Sequence, residues 1–165
     1  MTAAESRLII YSMAESVIDS SVLWQFSLFD GLEQNQIDSI AQLMGQEIHE
    51  AGADILLEGA NNDKVYFIVK GRIAIRKGLK TLYELEEGSC FGEMEILDIM
   101  PAETTARALT VVEVFTLSMD ALGDIYETDL RIYSFILMNL VRDLSRRIRE
   151  SNRKSNDGAP IMEWG

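Results

Sequence analysis

The feature that most constrains this chain is its middle third, Gln46 to Leu117, which glycines cut into short β-branched segments. Val65-Tyr66-Phe67-Ile68-Val69 is a continuous apolar run, as expected of a strand buried on both faces. Arg72-Ile73-Ala74-Ile75-Arg76 alternates with period two, the pattern of a half-buried strand. Lys77-Gly78-Leu79-Lys80 reads as a hairpin turn into a strand over 81–85, and 111–117 is a further strand. Short strands at this spacing predict a β-sandwich or barrel.

Helical patterns flank this middle. Leu8, Ile9, Met13, Val17 and Ile18 recur at helix spacing, and Ile37, Ile40, Ala41 and Met44 share one face of a second helix over 33–44. Ser118 is a candidate N-cap for a short helix over 119–126, and Thr128 or Asp129 for a longer one. From Leu130 to Ser151 there is no Gly or Pro, and Tyr133, Leu137, Leu140, Leu144 and Ile148 form one apolar stripe. The domain reading is a helical extension over 1–27, a domain over 28–154 that includes the long helix, and a flexible tail over 155–165.

Composition narrows the function. The 165 residues suit one domain and carry a net charge of −12, which opposes a generic binder of nucleic acid or anionic membrane. Cys90 is the only cysteine, so no intrachain disulfide forms and the cytoplasm is the expected compartment. No apolar run approaches the roughly 18 residues of a membrane helix. No Ser/His/Asp set, phosphate-loop lysine or Cys/His pair is placed for catalysis, so no enzyme is expected. His49 has no second histidine with which to hold a metal, and no cofactor is implied. Met94, Met100, Met119 and Met138 read as core fillers.

The informative stretch runs from Ala51 to Leu109. Gly52, Gly59, Gly71, Gly88 and Gly92 punctuate it, and Gly92-Glu93 opens a short apolar segment. A glycine there lets backbone N–H groups approach an anion, while the carboxylate can accept a sugar hydroxyl. Any one of these glycines would also serve as a turn residue of an unrelated barrel.

Taken in order, Leu28-Phe29-Asp30-Gly31-Leu32, Gly52, Ile55, Glu58-Gly59, Tyr66-Phe67-Ile68, Gly71, Gly88 and Phe91-Gly92-Glu93-Met94 resemble the cyclic-nucleotide-binding domain family, of the catabolite-activator and protein-kinase-A-regulatory type. The resemblance implies an eight-stranded antiparallel jelly-roll barrel with flanking helices. It implies that Glu93 takes the ribose 2′-hydroxyl of cAMP or cGMP, with backbone donors around Gly92 and Met94. The family then places an arginine directly after a proline to pair with the cyclic phosphate. Here Pro101 is followed by Ala102, then Glu103 and Thr104. A charged hydrogen bond is worth about 1.5–3 kcal/mol, so this departure weakens a typical binder by about 10–100-fold. Arg107 lies five residues on, one strand deep, and is not expected to substitute.

Arg146-Arg147-Ile148 followed by Ser151-Asn152 resembles the long helix of the family's bacterial activators, where a hydroxyl residue touches the base. The resemblance also implies a homodimer through the helix over 130–151. The bland reading of the basic residues 142–154 is a solvated face that compensates the helix dipole. The functional expectation is a regulatory ligand-sensing module with weakened or altered cyclic-nucleotide binding. The alternative is a vestigial pocket in a dimeric interaction module with an unknown effector protein. A small-molecule enzyme on a barrel stands behind both. Direct DNA readout is not expected, because the family's DNA reader needs further helices after the domain.

Overall fold

The computed structural model describes residues 18–156. The helix expected before Ile18 and the end of the expected tail lie outside the described residues. Two 3₁₀ turns, Ser20–Gln25 and Ser27–Phe29, lead into α1 (Gln34–Ala41). Eight strands follow: β1 (Gly45–His49), β2 (Asp54–Leu56), β3 (Lys64–Lys70), β4 (Ile73–Lys77), β5 (Lys80–Leu85), β6 (Cys90–Phe91), β7 (Thr105–Ala108) and β8 (Val112–Ser118). A short helix α2 (Glu93–Asp98) separates β6 from β7, and α3 (Met119–Thr128) and α4 (Leu130–Asn156) close the chain.

The strands form two four-stranded antiparallel sheets, in the orders β1-β8-β3-β6 and β2-β7-β4-β5. This is the expected jelly roll. The continuous apolar runs of β3 and β8 have a physical cause, since the first sheet is covered on both faces. Tyr66, Ile68, Val112 and Val114 point into the barrel with Ile73, Ile75, Phe91 and Ala106. Their alternating neighbours Val65, Phe67, Phe115 and Leu117 point outward, against Phe26, Phe29, Ile37, Leu122, Ile136 and Leu140 of the helical layer.

The hairpin over 77–80 forms as expected, with Lys77 opposite Lys80. At the β3–β4 turn Gly71 has φ 97°, and a Cβ there would lie 2.4 Å from the Val111 carbonyl oxygen. Only glycine fits that crossing. Ser118 caps α3 by accepting from the Ala121 N–H. Of the two candidate caps for α4, Asp129 takes the role, accepting from the N–H groups of Arg131 and Ile132. Thr128 instead donates to the Asp124 carbonyl.

Buried Asn139 fixes α4 to the helical layer. Its Nδ2 donates to the carbonyls of Leu28 (3.0 Å) and Asp30 (2.8 Å), and its Oδ1 accepts from Arg142. The stripe expected on α4 splits. Leu140 is buried, and Tyr133 and Leu144 pack half-buried against the same core, but Ile148 is exposed. Ile132 and Ile136 complete the inward face.

Candidate functional site

The site is built where β6 ends. Gly92 adopts φ 82° and caps α2 from the left-handed region. A Cβ there would sit 2.8 Å from both the Lys64 carbonyl oxygen and Asn62 Nδ2. Asn62 is the pin, because its Nδ2 donates to the carbonyls of Gly92 (2.9 Å) and Lys64 (2.7 Å). Phe91 stacks on Tyr66 with ring centroids 4.8 Å apart. The backbone that presents Glu93 is therefore held on both sides.

Glu93 is 2% exposed, and burial of this kind needs compensation. Its Oε1 accepts from Arg147 Nη1 of α4 at 2.7 Å, while Oε2 is buried without a protein partner. Arg147 Nη2 donates to the Cys90 carbonyl at 2.6 Å and lies 2.8 Å from Asp143 Oδ2, one turn back on α4. Arg146 pairs with the same Asp143. Burial raises the pKa of Glu93 above the ordinary carboxylate value, and the Arg147 charge opposes that rise. Burial alone would lower Arg147, but the neighbouring charges, Glu93 first, reverse the sign and keep it cationic. A buried carboxylate with one oxygen tied and the other unpartnered has the capacity to accept a hydrogen bond from a donor such as a hydroxyl.

Residues 102–104 lead into β7 of the second sheet. Ala102 is buried in the barrel interior and exchanges backbone bonds with the preceding loop, donating to the Ala60 carbonyl and accepting from the Gly59 N–H. Glu103 is exposed, and its carbonyl accepts from Lys77 Nζ at 2.7 Å. Thr104 is half-buried just before β7. Tyr83 of β5 is within electrostatic reach of Glu93. Its phenol is held above the ordinary value by partial burial, with Arg147 pulling it down and Glu93 pushing it up. Arg107 lies on the other face of its sheet and pairs with Asp54 at 3.3 Å.

The structure thus joins Glu93 to α4, with Gly92 setting the backbone before it. Met94 is exposed on α2, while Ser151 and Asn152 stand on exposed turns of α4 beyond Arg147, Ser151 one turn further along the same face. Two sequence readings are corrected. Arg147 is not on a solvated face, since the buried carboxylate of Glu93, 54 residues away, holds it. Met94, Met100, Met119 and Met138 are exposed rather than core fillers. Cys90 is buried, and its thiol is pushed up to about 12, chiefly by desolvation, which makes it a packing residue. Buried His49 bonds to Glu47 at 3.0 Å.

An apolar groove of about 460 Å³ lies behind the site, between Ile96 and Leu97 of α2 and Leu122, Tyr126 and Leu137 of α3 and α4. Among the described residues no helix is long and apolar enough to cross a membrane, and no group of His, Cys, Asp and Glu side chains is placed to hold a metal.

Comparison with known proteins agrees with this fold. Residues 46–129 match the family model for the cyclic nucleotide-binding domain. The chain is 28% identical over 143 residues to a CRP-like cAMP-activated global transcriptional regulator of Mycobacterium tuberculosis, a match covering 82% of this chain and 61% of that protein. It is 32% identical over 91 residues to the cAMP-dependent protein kinase regulatory subunit of Debaryomyces hansenii, covering 54% of this chain and 20% of that one. The chain therefore spans less than two thirds of each of these relatives. In fold it is similar to a cyclic nucleotide-binding domain from Methylobacillus flagellatus, with a TM-score of 0.77 at 22% identity, covering 86% of this chain and 83% of the other. Fold, family model and relatives converge: the chain belongs to the cyclic nucleotide-binding domain family.

Proposed function

We propose that this chain is a regulatory module that takes cAMP or cGMP against Glu93 and transmits the event through α4. The observation that carries this reading is the buried, unpartnered Oε2 of Glu93 beside an Oε1 already held by α4. A ligand hydroxyl that donates to Oε2 shares its carboxylate with Arg147, so occupancy and the seating of α4 are linked through one side chain. Gly92 and Met94 frame Glu93, and Ala102, Glu103 and Thr104 form the facing edge. Ser151 and Asn152 extend the line of α4 past Arg147, where they reach a base that projects from the pocket. The relatives are named as regulators, and the module acts as a regulator rather than an enzyme. A cytoplasmic setting suits its lone thiol.

Because position 102 is alanine, affinity is lower than an arginine-bearing site would give. Titration calorimetry with cAMP and cGMP tests this. Wild type is expected to bind, Glu93→Ala to weaken binding by about 10–100-fold, and Ala102→Arg to tighten it by a similar factor. Silence in wild type, with binding only in Ala102→Arg, would overturn the sensor reading.

That outcome would favour a second reading, a dimeric interaction module with a vestigial pocket that presents α4 to an effector protein. Its support is the exposed Met138, Val141 and Ile148 on the outer face of α4.

A further inference from the structure

We propose that Lys77 supplies the positive charge for a bound cyclic phosphate in this chain, in place of the arginine that position 102 lacks. This rests on the cyclic-nucleotide reading above and assigns one of its contacts.

β4 pairs with β7 as Ile73 with Ala108, Ala74 with Arg107, Ile75 with Ala106 and Arg76 with Thr105. Ile73, Ile75, Ala106 and Ala108 all belong to the barrel interior, so that face is the inner one. Side chains alternate along a strand, which turns Arg76, Thr105 and Arg107 outward and turns Lys77, the last residue of β4, to the inner side at the half-exposed end of the strand. Lys77 stands beside the segment 102–104, with its Nζ 2.7 Å from the Glu103 carbonyl oxygen. Tyr83 lies opposite Ile75 on the same face and is within electrostatic reach of Glu93. A ligand that runs from Glu93 towards Ala102 therefore crosses the inner face on which Lys77 stands.

The nearby arginines are committed elsewhere. Arg107 pairs with Asp54 on the outer face, and Arg76 Nη2 bonds the Leu79 carbonyl in the turn. Arg147 is tied to Glu93, Cys90 and Asp143. Lys77 is paired with Glu58 at 3.0 Å, but both side chains are substantially exposed. Such a pair is weak, and an ammonium on a flexible four-carbon stem can turn from one anion to another. Glu58 has a second partner in the Gly78 N–H, so it is not stranded when Lys77 turns away. The ammonium is a point charge rather than a bidentate fork, which fits a site that binds the phosphate more loosely than arginine would.

Two ligands test the assignment: cAMP, and its neutral cyclic phosphotriester, which keeps the base and the 2′-hydroxyl. Each is titrated into wild type, Lys77→Gln, Lys77→Arg and Glu58→Gln. Lys77→Gln should weaken cAMP by about tenfold or more and leave the triester within twofold. Lys77→Arg should restore cAMP, and Glu58→Gln should tighten it. Melting temperatures of the four proteins report that each is folded. If wild type binds cAMP and Lys77→Gln binds it equally well, the assignment is overturned while the cyclic-nucleotide reading stands. If folded wild type binds neither ligand, that reading fails and takes the assignment with it.

Discussion

Glu93 is the residue on which ligand chemistry and pH meet. Burial is the largest influence on it and raises its pKa above the ordinary value of 4.5, while Arg147 pulls the other way. The unfolded chain releases this proton near 4.5 and the folded chain releases it later, so the folded state binds more protons across that window. Folding stability contributed by this group therefore falls as pH rises through it. Ligand binding runs in the opposite sense, because a hydroxyl donates to the ionised carboxylate. Affinity for cAMP is expected to climb as pH rises from 4.5 through the elevated value and then to level. Glu93→Gln should flatten both slopes, which calorimetric titrations and thermal melts over the same pH series would show. Gly92 sets this carboxylate in place. Gly92→Ala forces a left-handed alanine against the Lys64 carbonyl, and at about 1–3 kcal/mol for such strain it should lower the melting temperature and weaken the ligand together.

At the scale of elements, the joint between α4 and the 3₁₀ turn Ser27–Phe29 rests on a buried amide. Asn139→Leu keeps the branched shape but leaves the carbonyls of Leu28 and Asp30 without their donor. Stranding buried acceptors costs about 1–3 kcal/mol each, so urea unfolding should show a loss of that order, with the far-ultraviolet helix signal retained. The sequence made some elements plain and hid others for definable reasons. β3 and β8 were legible because both their faces are buried, which leaves an apolar run that polar surface does not interrupt. β6 is two residues long and has no period to read. Glycine spacing marked the start of α2, but not that Asn62, thirty residues earlier, holds it. The role of Arg147 was hidden because Asp143 and Arg147 at i, i+4 look the same whether solvated or buried. The methionines misled because hydrophobicity at helical spacing does not say which neighbour a face will meet.

The whole molecule turns on the two faces of α4. Ile132, Ile136 and Leu140 seat the helix on its own domain, and Arg147 locks its flank to Glu93. Round the other side, Ser134, Met138, Val141, Ser145 and Ile148 follow one another at intervals of four, three, four and three residues. That mean period of 3.5 is the spacing that the seam of a two-stranded coiled coil uses. Met138 (52%), Val141 (55%) and Ile148 (61%) are the exposed apolar members. Two copies paired along this seam would set their Glu93–Arg147 contacts beside a shared helix pair, so a ligand in one pocket would be felt at the interface. Sedimentation equilibrium of wild type should therefore give a dimer, and Val141→Glu with Ile148→Glu a monomer with a similar melting temperature, since neither side chain packs on its own domain. If the seam also carries the ligand signal, the monomeric variant should still bind cAMP but lose any dependence of affinity on protein concentration. A wild type that sediments as a monomer at tens of micromolar would assign the stripe to a different partner and leave Arg147 as a contact within one chain.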